Sequence, residues 1–310
     1  MGTTRNVDPV VVAVDGSERS AGAVRYAIHE ARLSGNPVRL VHVAPTPLPE
    51  GGLWPAAGRD VEDLRSSGEL ILDRALAQAR ASAPDVAFDS LLGRGPRATE
   101  LVAAAATGGL LVLGRETRRG LERVVAGAMT AGVVARVAVP VVVVPADWQG
   151  TRRDGVVAGV KSYPADGELL ARAFAAADLR HTTLRLVQVA DLADLAPDAV
   201  AAADVDALVD AGSRMLGEAV RDWSTAFPEV RVESVVLPGR PAEVLVEAAA
   251  GAHLLLVARP HRDLRHPVRL GRTPRDVLAS SGTPVEVVPL RGDPTTAPLV
   301  LERSGEFLKD

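Results

Sequence analysis

The chain has 310 residues, of which 47% are hydrophobic and 24% are charged, so it is long enough and apolar enough to form two ordinary globular domains. Its formal net charge of -4 provides no overall attraction for nucleic acid or for an anionic membrane, and we expect neither as a partner. The absence of cysteine excludes a disulfide framework, a thiol nucleophile and a thiolate zinc site.

From residue 10 onward, short β-branched runs alternate with helical patterns. This alternation is typical of βαβ units, and near-continuous apolar runs predict strands that are buried on both faces of a parallel sheet. The predicted strands of this first half are Val10–Val14, Val38–Val43, Val86–Leu92, Leu110–Leu113 and Val141–Val144. The predicted helices between them are Ser20–Leu33, Asp60–Ser82, Ala98–Thr107 and Met129–Val137.

The second half of the chain repeats the first. The segment from Leu110 to Pro145 aligns without a gap with the segment from Leu254 to Pro289, and Gly127 falls on Gly271. The predicted strands of the second copy are Val156–Val160, Leu184–Val189, Val230–Val236, Leu254–Val257 and Val285–Val288. We therefore expect an α/β protein with two tandem, Rossmann-like, doubly wound domains, each a five-stranded, mostly parallel sheet flanked by four helices.

The repeat also predicts the domain boundaries. Residues 1–147 are expected to form the first domain, residues 148–153 a linker, residues 154–290 the second domain and residues 291–310 a polar tail. The first nine residues lack the apolar core of a signal peptide, and no apolar run reaches membrane-spanning length. These features favour a soluble, cytoplasmic protein.

The loop after the fourth strand is the most informative candidate for a binding site. In an open parallel sheet, ligands bind beyond the carboxyl ends of the strands, where the direction of the connections reverses. Gly114 ends a predicted strand there and Gly127 stands just before a predicted helix, with several arginines between them. Unpaired N–H groups and the positive end of a helix dipole suit a phosphate. The alternative is that Gly127 is only a turn glycine and that the arginines are solvated.

The run from Val12 to Ser17, followed by Ser20, and the Gly114, Gly127 and Pro140 positions resemble a universal stress protein domain. The resemblance covers both copies and implies ATP bound at the strand ends. Asp15 and the backbone near Val43 would lie beside the adenine and ribose, and the segment from Gly114 to Thr130 would surround the phosphates. The binding residues that it implies are Asp15, Gly16, Ser17, Val43, Gly114, Arg115, Thr117, Gly127, Ala128, Met129 and Thr130.

The first copy departs from the family's nucleotide-binding pattern, which has glycine, two residues, glycine, nine residues, then glycine and serine or threonine. Thr117 replaces the second glycine and Ala128 replaces the hydroxyl residue, although Thr130 follows. A β-branched side chain obstructs a close approach of the backbone to phosphate. The loss of one hydrogen bond to a charged phosphate costs roughly 1.5–3 kcal/mol, or about tenfold to a hundredfold in affinity. Weakened binding and lost binding are both open.

The second copy departs further from that pattern. Lys161 takes the position of Asp15, Ala258 that of Gly114, and Arg272 that of the hydroxyl residue. The following helix is predicted to begin with Thr273 as N-cap and Pro274 in the first helical position. This copy has either lost its ligand and become a scaffold, or replaced the glycine loop with an arginine clamp for an anion. The residues of that possible anion site are Arg259, Gly271, Arg272 and Thr273.

Other candidate sites are weaker. No residues have the spacing of a metal site, so we expect no bound metal. His42 lies inside a predicted strand and is interpreted as a packed core histidine, while Ser17 and Ser20 are interpreted as helix caps rather than nucleophiles. Trp54 and Trp148 are expected to make packing or dimer contacts rather than to stack on a base.

These observations favour a regulatory protein that binds an adenine nucleotide over an efficient enzyme. The sequence has no convincing Walker lysine, acidic metal pair or general base, so any ATP hydrolysis is expected to be slow and incidental, and no catalytic residue is assigned. The resemblance implies pairing between last strands, a homodimer and an unidentified regulatory protein partner. Two rival functions stay open, a ligand-free interaction scaffold and a nucleotide-processing or phosphate-processing enzyme.

Overall fold

The computed structural model describes residues 8–45, 58–115, 128–150, 154–191, 202–260 and 270–290. These residues form two compact units that divide near residues 151–153. Within the described ranges, no helix combines the length and the apolar character that a membrane crossing requires.

The first unit contains a five-stranded parallel sheet. Its strands are β1 (Val10–Ala13), β2 (Val38–Ala44), β3 (Phe88–Arg94), β4 (Leu110–Arg115) and β5 (Val141–Pro145). Its helices are α1 (Glu18–Ser34), α2 (Gly58–Ser82), α3 (Arg97–Ala105) and α4 (Ala128–Val134). The strand order is β3-β2-β1-β4-β5, and every neighbouring pair is parallel. Val10 lies opposite Val38 on one side and Leu110 on the other, so β1 is central.

Burial along the strands follows their place in this sheet. β5 is buried along its whole length, and β1 and β4 are buried except at their carboxyl ends, because helices cover both faces. The prediction of strands buried on both faces is therefore confirmed for these three. It is wrong for β3, where Asp89, Ser90 and Leu91 are exposed because an edge strand has only one neighbouring strand.

The helices lie on the two faces of the sheet as right-handed connections require. From β1 to β3 the chain moves toward one edge of the sheet, and from β3 to β5 it moves toward the other edge. Because each connection is right-handed, α1 and α2 cover one face, and α3 and α4 cover the opposite face. Helix α1 packs closely on the end of β5. A Cβ atom on Gly22 would lie 2.8 Å from the carbonyl oxygens of Pro145 and Ala146. Arg25 donates hydrogen bonds to the carbonyl oxygens of Ala146 and Trp148 in the same segment.

The second unit repeats this topology. Its strands are β6 (Val156–Gly159), β7 (Leu184–Ala190), β8 (Val232–Pro238), β9 (Leu254–Arg259) and β10 (Val285–Pro289). Its helices are α5 (Gly167–Leu179), α6 (Ala202–Ser224), α7 (Pro241–Ala248) and α8 (Arg272–Ser280). The strand order is β10-β9-β6-β7-β8, again with parallel neighbours. The predicted fold class, two tandem doubly wound α/β domains, is confirmed.

The core of the second unit contains an ion pair as well as apolar side chains. Phe174 of α5 stacks on Trp223 of α6 with ring centroids 5.9 Å apart. The ion pair joins the same helix α5 to strand β10. The Glu286 side chain of β10 is only 1% exposed and lies 2.5 Å from the Arg172 guanidinium of α5. The matching position of the first unit is Val142, so the two units differ at this position of their last strand.

Trp148 lies in the segment that follows β5 and is only 8% exposed. Its indole meets the Tyr26 ring edge to face with centroids 5.1 Å apart, so the interpretation of Trp148 as a packing residue is confirmed. The predicted linker includes this residue although it packs within the first unit. The exact domain boundaries stay predictions, and Trp54, residues 151–153 and the tail 291–310 lie outside the described residues.

Candidate functional site

A cleft of about 110 Å³ opens at the carboxyl ends of β1, β2 and β4 in the first unit. β1 and β4 are neighbours in the sheet, but the chain leaves them in opposite directions, and this reversal separates the connecting loops. The first turns of α1, α3 and α4 supply the remaining walls through Ser20, Arg97 and Met129. The cleft therefore lies where a doubly wound sheet is expected to bind a ligand.

Four residues predicted from the sequence meet in this cleft. Asp15 follows β1, Val43 belongs to β2, Gly114 to β4 and Met129 to the first turn of α4, and all four line it. They come from four separate places in the chain and are brought together by the strand order.

The other predicted residues of the first unit have different positions. Gly16 and Ser17 lie beside Asp15 in the turn before α1. Ala128 begins α4 and Thr130 is a half-buried residue of the same helix, but neither Thr130 nor Arg115 lines the cleft. The positions of Thr117 and Gly127, with the arginines at 118, 119 and 123, fall outside the described residues.

A turn at residues 15–17 fixes the Asp15 carboxylate. The Asp15 Oδ1 atom accepts hydrogen bonds from the Ser17 backbone N–H at 3.0 Å and from the Ser17 hydroxyl at 2.5 Å. Gly16 between them has a φ of 77°, a conformation that glycine adopts without strain. Ser17 stands at the N-cap position of α1, but its hydroxyl donates to Asp15 and makes no side-chain cap.

The prediction of helix caps is therefore confirmed for the position of Ser17 and wrong for Ser20, and neither serine caps the helix through its side chain. The Ser20 hydroxyl, inside the first turn of α1, donates to the Ser17 carbonyl oxygen at 2.7 Å. A capping serine would instead accept a hydrogen bond from a helix N–H. Both hydroxyls thus stabilise the turn that holds Asp15.

His42 supports the same turn from the neighbouring strand. It is 6% exposed, which confirms its interpretation as a packed core histidine. Its Nδ1 atom lies 2.8 Å from the Val14 carbonyl oxygen, and because a carbonyl only accepts, Nδ1 carries the proton. The residue also borders the cleft. Sequence reasoning missed this bond, because the contact between β1 and β2 depends on their register.

Two arginines of the first unit have opposite environments. Burial lowers the pKa of the Arg115 guanidinium, while the charge of Asp147 raises it, and the Arg115 side chain does not line the cleft. Arg97 begins α3, is exposed and does line the cleft. The sequence did not single out Arg97, because the helix was predicted to begin one residue later. Its position after Gly95 and Pro96 at a strand end was the available signal.

In the second unit, a buried carboxylate binds the backbone that follows the first strand. Asp166 is 4% exposed, and its Oδ2 atom accepts hydrogen bonds from the backbone N–H groups of Lys161 at 2.6 Å and Ser162 at 2.9 Å. Burial raises the pKa of this carboxyl, and the two backbone hydrogen bonds lower it. The Tyr163 hydroxyl donates to Asp222 of α6 at 2.6 Å. The loop from Lys161 to Asp166 is therefore held by the Asp166 carboxylate and by a hydrogen bond to α6.

The predicted beginning of helix α8 is wrong. Gly271 is the N-cap, Arg272 and Thr273 are the first two helical residues, and Pro274 is the third. Because proline has no N–H, this first turn offers one donor fewer to an anion than an ordinary helix does.

The two arginines of the predicted anion site also differ in environment. Arg259 ends β9 and is 6% exposed. The Arg272 side chain is 88% exposed and lies 3.7 Å from the Asp276 carboxylate. Arg259 is thus part of the interior, whereas Arg272 is a solvated arginine beside an acidic residue. In the described part of the chain, no group of three or more histidine, aspartate or glutamate side chains is arranged to hold a metal ion.

The repeated parallel sheets and the cleft at the strand reversal define a tandem α/β protein of the Rossmann-like, doubly wound class. Residues 6–145 and 153–289 each match the universal stress protein family. The chain therefore belongs to the universal stress protein family and carries two copies of its domain.

Relatives with two such copies extend over nearly the whole chain. A universal stress protein of Mycolicibacterium smegmatis is 29% identical over 289 residues, which are 90% of this chain and 96% of the relative. A universal stress protein of Mycobacterium tuberculosis is 27% identical over 301 residues, covering 93% of this chain and 99% of the relative. The crystal structure of a universal stress protein from Archaeoglobus fulgidus superposes with a TM-score of 0.68 at 16% identity, covering 94% and 100% of the two chains. That similarity supports the fold.

Proposed function

We propose that the first unit binds an adenine nucleotide, ATP, in the cleft at the ends of β1, β2 and β4. The observation that carries this proposal is the convergence of Asp15, Val43, Gly114 and Met129 on one cleft. These residues were predicted from separate segments as parts of a nucleotide site. Their convergence does not depend on the loop between β4 and α4.

The chemistry of the cleft suits a base and a ribose. Val41, Leu101 and Leu113 provide apolar walls, and Asp15 provides a carboxylate at the mouth. Small-molecule sites commonly combine such walls with a few fixed polar groups. The carboxylate is an acceptor for ribose hydroxyls or for the adenine amino group, and its turn holds it in place before the ligand arrives.

The second unit has a different role in this proposal. Lys161 replaces the acidic residue, and the Asp166 carboxylate already accepts the two N–H groups at the end of β6. We infer that this unit serves assembly, in a homodimer or with a regulatory protein partner, or binds a simple anion near α8. We further infer that the protein acts by binding rather than by catalysis, with domain boundaries at residues 147 and 154.

Isothermal titration calorimetry with ATP tests the proposed site on the full chain. Replacing Asp15 with asparagine removes the charge and keeps the shape, so we expect ATP affinity to fall about tenfold, as for a lost hydrogen bond to a charged group. Asp73→Asn is the matched control, because Asp73 is an exposed carboxylate on α2 away from the cleft. This control should bind ATP like the unmodified protein.

Native mass spectrometry of gently purified protein distinguishes the rival functions. A retained mass of an adenine nucleotide supports the proposal and also reports the oligomeric state. A chain without a bound small molecule that also fails to saturate with ATP would instead be an interaction scaffold. ATP turnover that disappears in Asp15→Asn would identify a nucleotide-processing enzyme.

A further inference from the structure

Arg97 supplies a positive charge to the cleft from a different connection than any residue predicted for the site. It is the first residue of α3 and follows the end of β3, whereas Gly114 belongs to β4 and Asp15 follows β1. Arg97 is exposed and lines the cleft that Asp15 and Gly114 also line. A cation and a carboxylate thus border one small cavity.

Arg97 differs in its contacts from other arginines of the first unit. It forms no hydrogen bond or ion pair with any residue that the structure describes. Other arginines of the first unit have such partners: Arg32 pairs with Asp85 at 2.8 Å and Arg39 with Asp89 at 2.7 Å. Within the described part of the chain, the donors of Arg97 are therefore available to a ligand.

The second unit shows what this arginine does when it has a partner. There the order of the two residues is reversed, so Arg240 precedes Pro241, and Pro241 takes the position of Arg97 as the first residue of the helix. Arg240 lies 3.2 Å from the Glu243 carboxylate. The first unit has Glu100 at the same spacing from Arg97, but its carboxylate lies beside Gly95 and Gly93 and forms no ion pair with Arg97 in the described structure. The shift of the arginine by one residue and the different position of the glutamate leave Arg97 beside the cleft.

We propose that Arg97 binds the phosphate groups of the nucleotide and makes the first unit select phosphorylated adenine ligands over adenosine. This inference rests on the proposed function. A guanidinium presents a planar set of donors that matches phosphate oxygens, often through two parallel hydrogen bonds. Because the Asp15 carboxylate repels phosphate, the ligand is oriented with its phosphates toward Arg97. The arginine compensates in this way for Thr117 and Ala128 in the loop after β4.

The test is calorimetric titration of the full chain with ATP, ADP, AMP and adenosine. For Arg97→Gln we expect ATP affinity to fall about tenfold, and adenosine affinity to change by less than about twofold. Arg97→Lys keeps the charge but loses the planar fork, so its ATP affinity should be intermediate. Arg94→Gln is the matched control, since Arg94 is an exposed arginine three residues away that does not line the cleft.

The outcomes separate this inference from the proposed function. If ATP binds to the unmodified protein and Arg97→Gln binds it equally well, the inference is overturned and the site stands. An equal loss for ATP and adenosine would show that Arg97 only supports the fold, and it would also overturn the inference. If the unmodified protein binds none of the four ligands, the proposed function itself fails. Thermal unfolding of each variant verifies that the exposed substitutions leave the fold intact.

Discussion

The two units share one topology but end their first strands differently. In the first unit the chain turns directly into α1, and Asp15 stands exposed at the cleft with its carboxylate fixed by Ser17. In the second unit a longer loop follows β6, and the buried Asp166 carboxylate accepts the N–H groups of Lys161 and Ser162. The comparison shows that the sheet determines where a site lies, while the loops determine which polar groups are exposed there.

The interiors differ as well. On the second strand, His42 donates to the Val14 carbonyl oxygen, whereas the matching Gln188 has a buried Oε1 atom without a hydrogen-bond partner in the described structure. Glycines on the facing helices, Gly68 and Gly212, leave space for these two side chains. The same packing position thus carries a hydrogen bond to the first strand in one unit and an unpaired oxygen in the other.

The largest expected effect concerns the Arg172–Glu286 ion pair of the second unit, where the first unit has Val142 in place of the glutamate. Replacing Arg172 with methionine leaves the buried Glu286 carboxylate without its cation, and we expect a loss of about 3 kcal/mol in stability. The double variant Arg172→Met, Glu286→Val should recover most of this loss, because it places an apolar residue where the first unit has Val142. Denaturant unfolding followed by tryptophan fluorescence measures both. An Arg172→Met protein as stable as the unmodified chain would contradict the prediction.

Two helical glycines provide a smaller contrast between the units. Gly22→Ala places a methyl group 2.8 Å from two carbonyl oxygens, and we expect a cost of about 1–3 kcal/mol from overpacking. Gly217→Ala in α6 meets only the end of the Arg221 side chain at 3.8 Å, so it should be neutral or stabilise by about 0.5–1 kcal/mol. Thermal melts compare the two variants. Equal shifts of Tm would show that α1 does not pack on the end of β5 as described.

The smallest expected effect is the pH dependence of a surface ion pair in the first unit. The hydrogen bond from Arg32 lowers the pKa of Asp85 from its ordinary value of 3.8 to about 2. A lowered pKa in the folded state stabilises the protein above about pH 4, and this contribution is lost as the pH falls toward 2. Asp85→Asn should therefore lower Tm slightly at pH 7, and the difference should become much smaller as the pH falls to about 2.

The control for this prediction is Glu229→Gln in the second unit. Glu229 occupies the matching position, is exposed and pairs with no arginine in the described structure. Its replacement should leave Tm unchanged at both pH values. If the Tm shift of Asp85→Asn persisted at low pH, the effect would come from packing rather than from charge.

Most of the fold could be predicted because its signals are local. The valine runs predicted the bounds of β1 and β5 to within one residue, and the repeat predicted the element order of the second unit from that of the first. The errors arose where the environment outweighs the local pattern. The middle of β3 is exposed because this strand lies at an edge, and α8 begins at Arg272 because Gly271 rather than Thr273 provides its N-cap.

The sequence by itself determined the two copies, their alternating strands and helices, and the strand ends that carry Asp15 and Gly114, because these depend on periodicity and on residues close together in the chain. Only the tertiary structure decided that Arg97 borders the same cleft and that the Asp166 carboxylate accepts the N–H groups of Lys161 and Ser162 in the second unit. The physical reason is that both outcomes depend on the crossing of helices over a twisted parallel sheet. That crossing sets which loops meet at the sheet's edge and how far each side chain can reach.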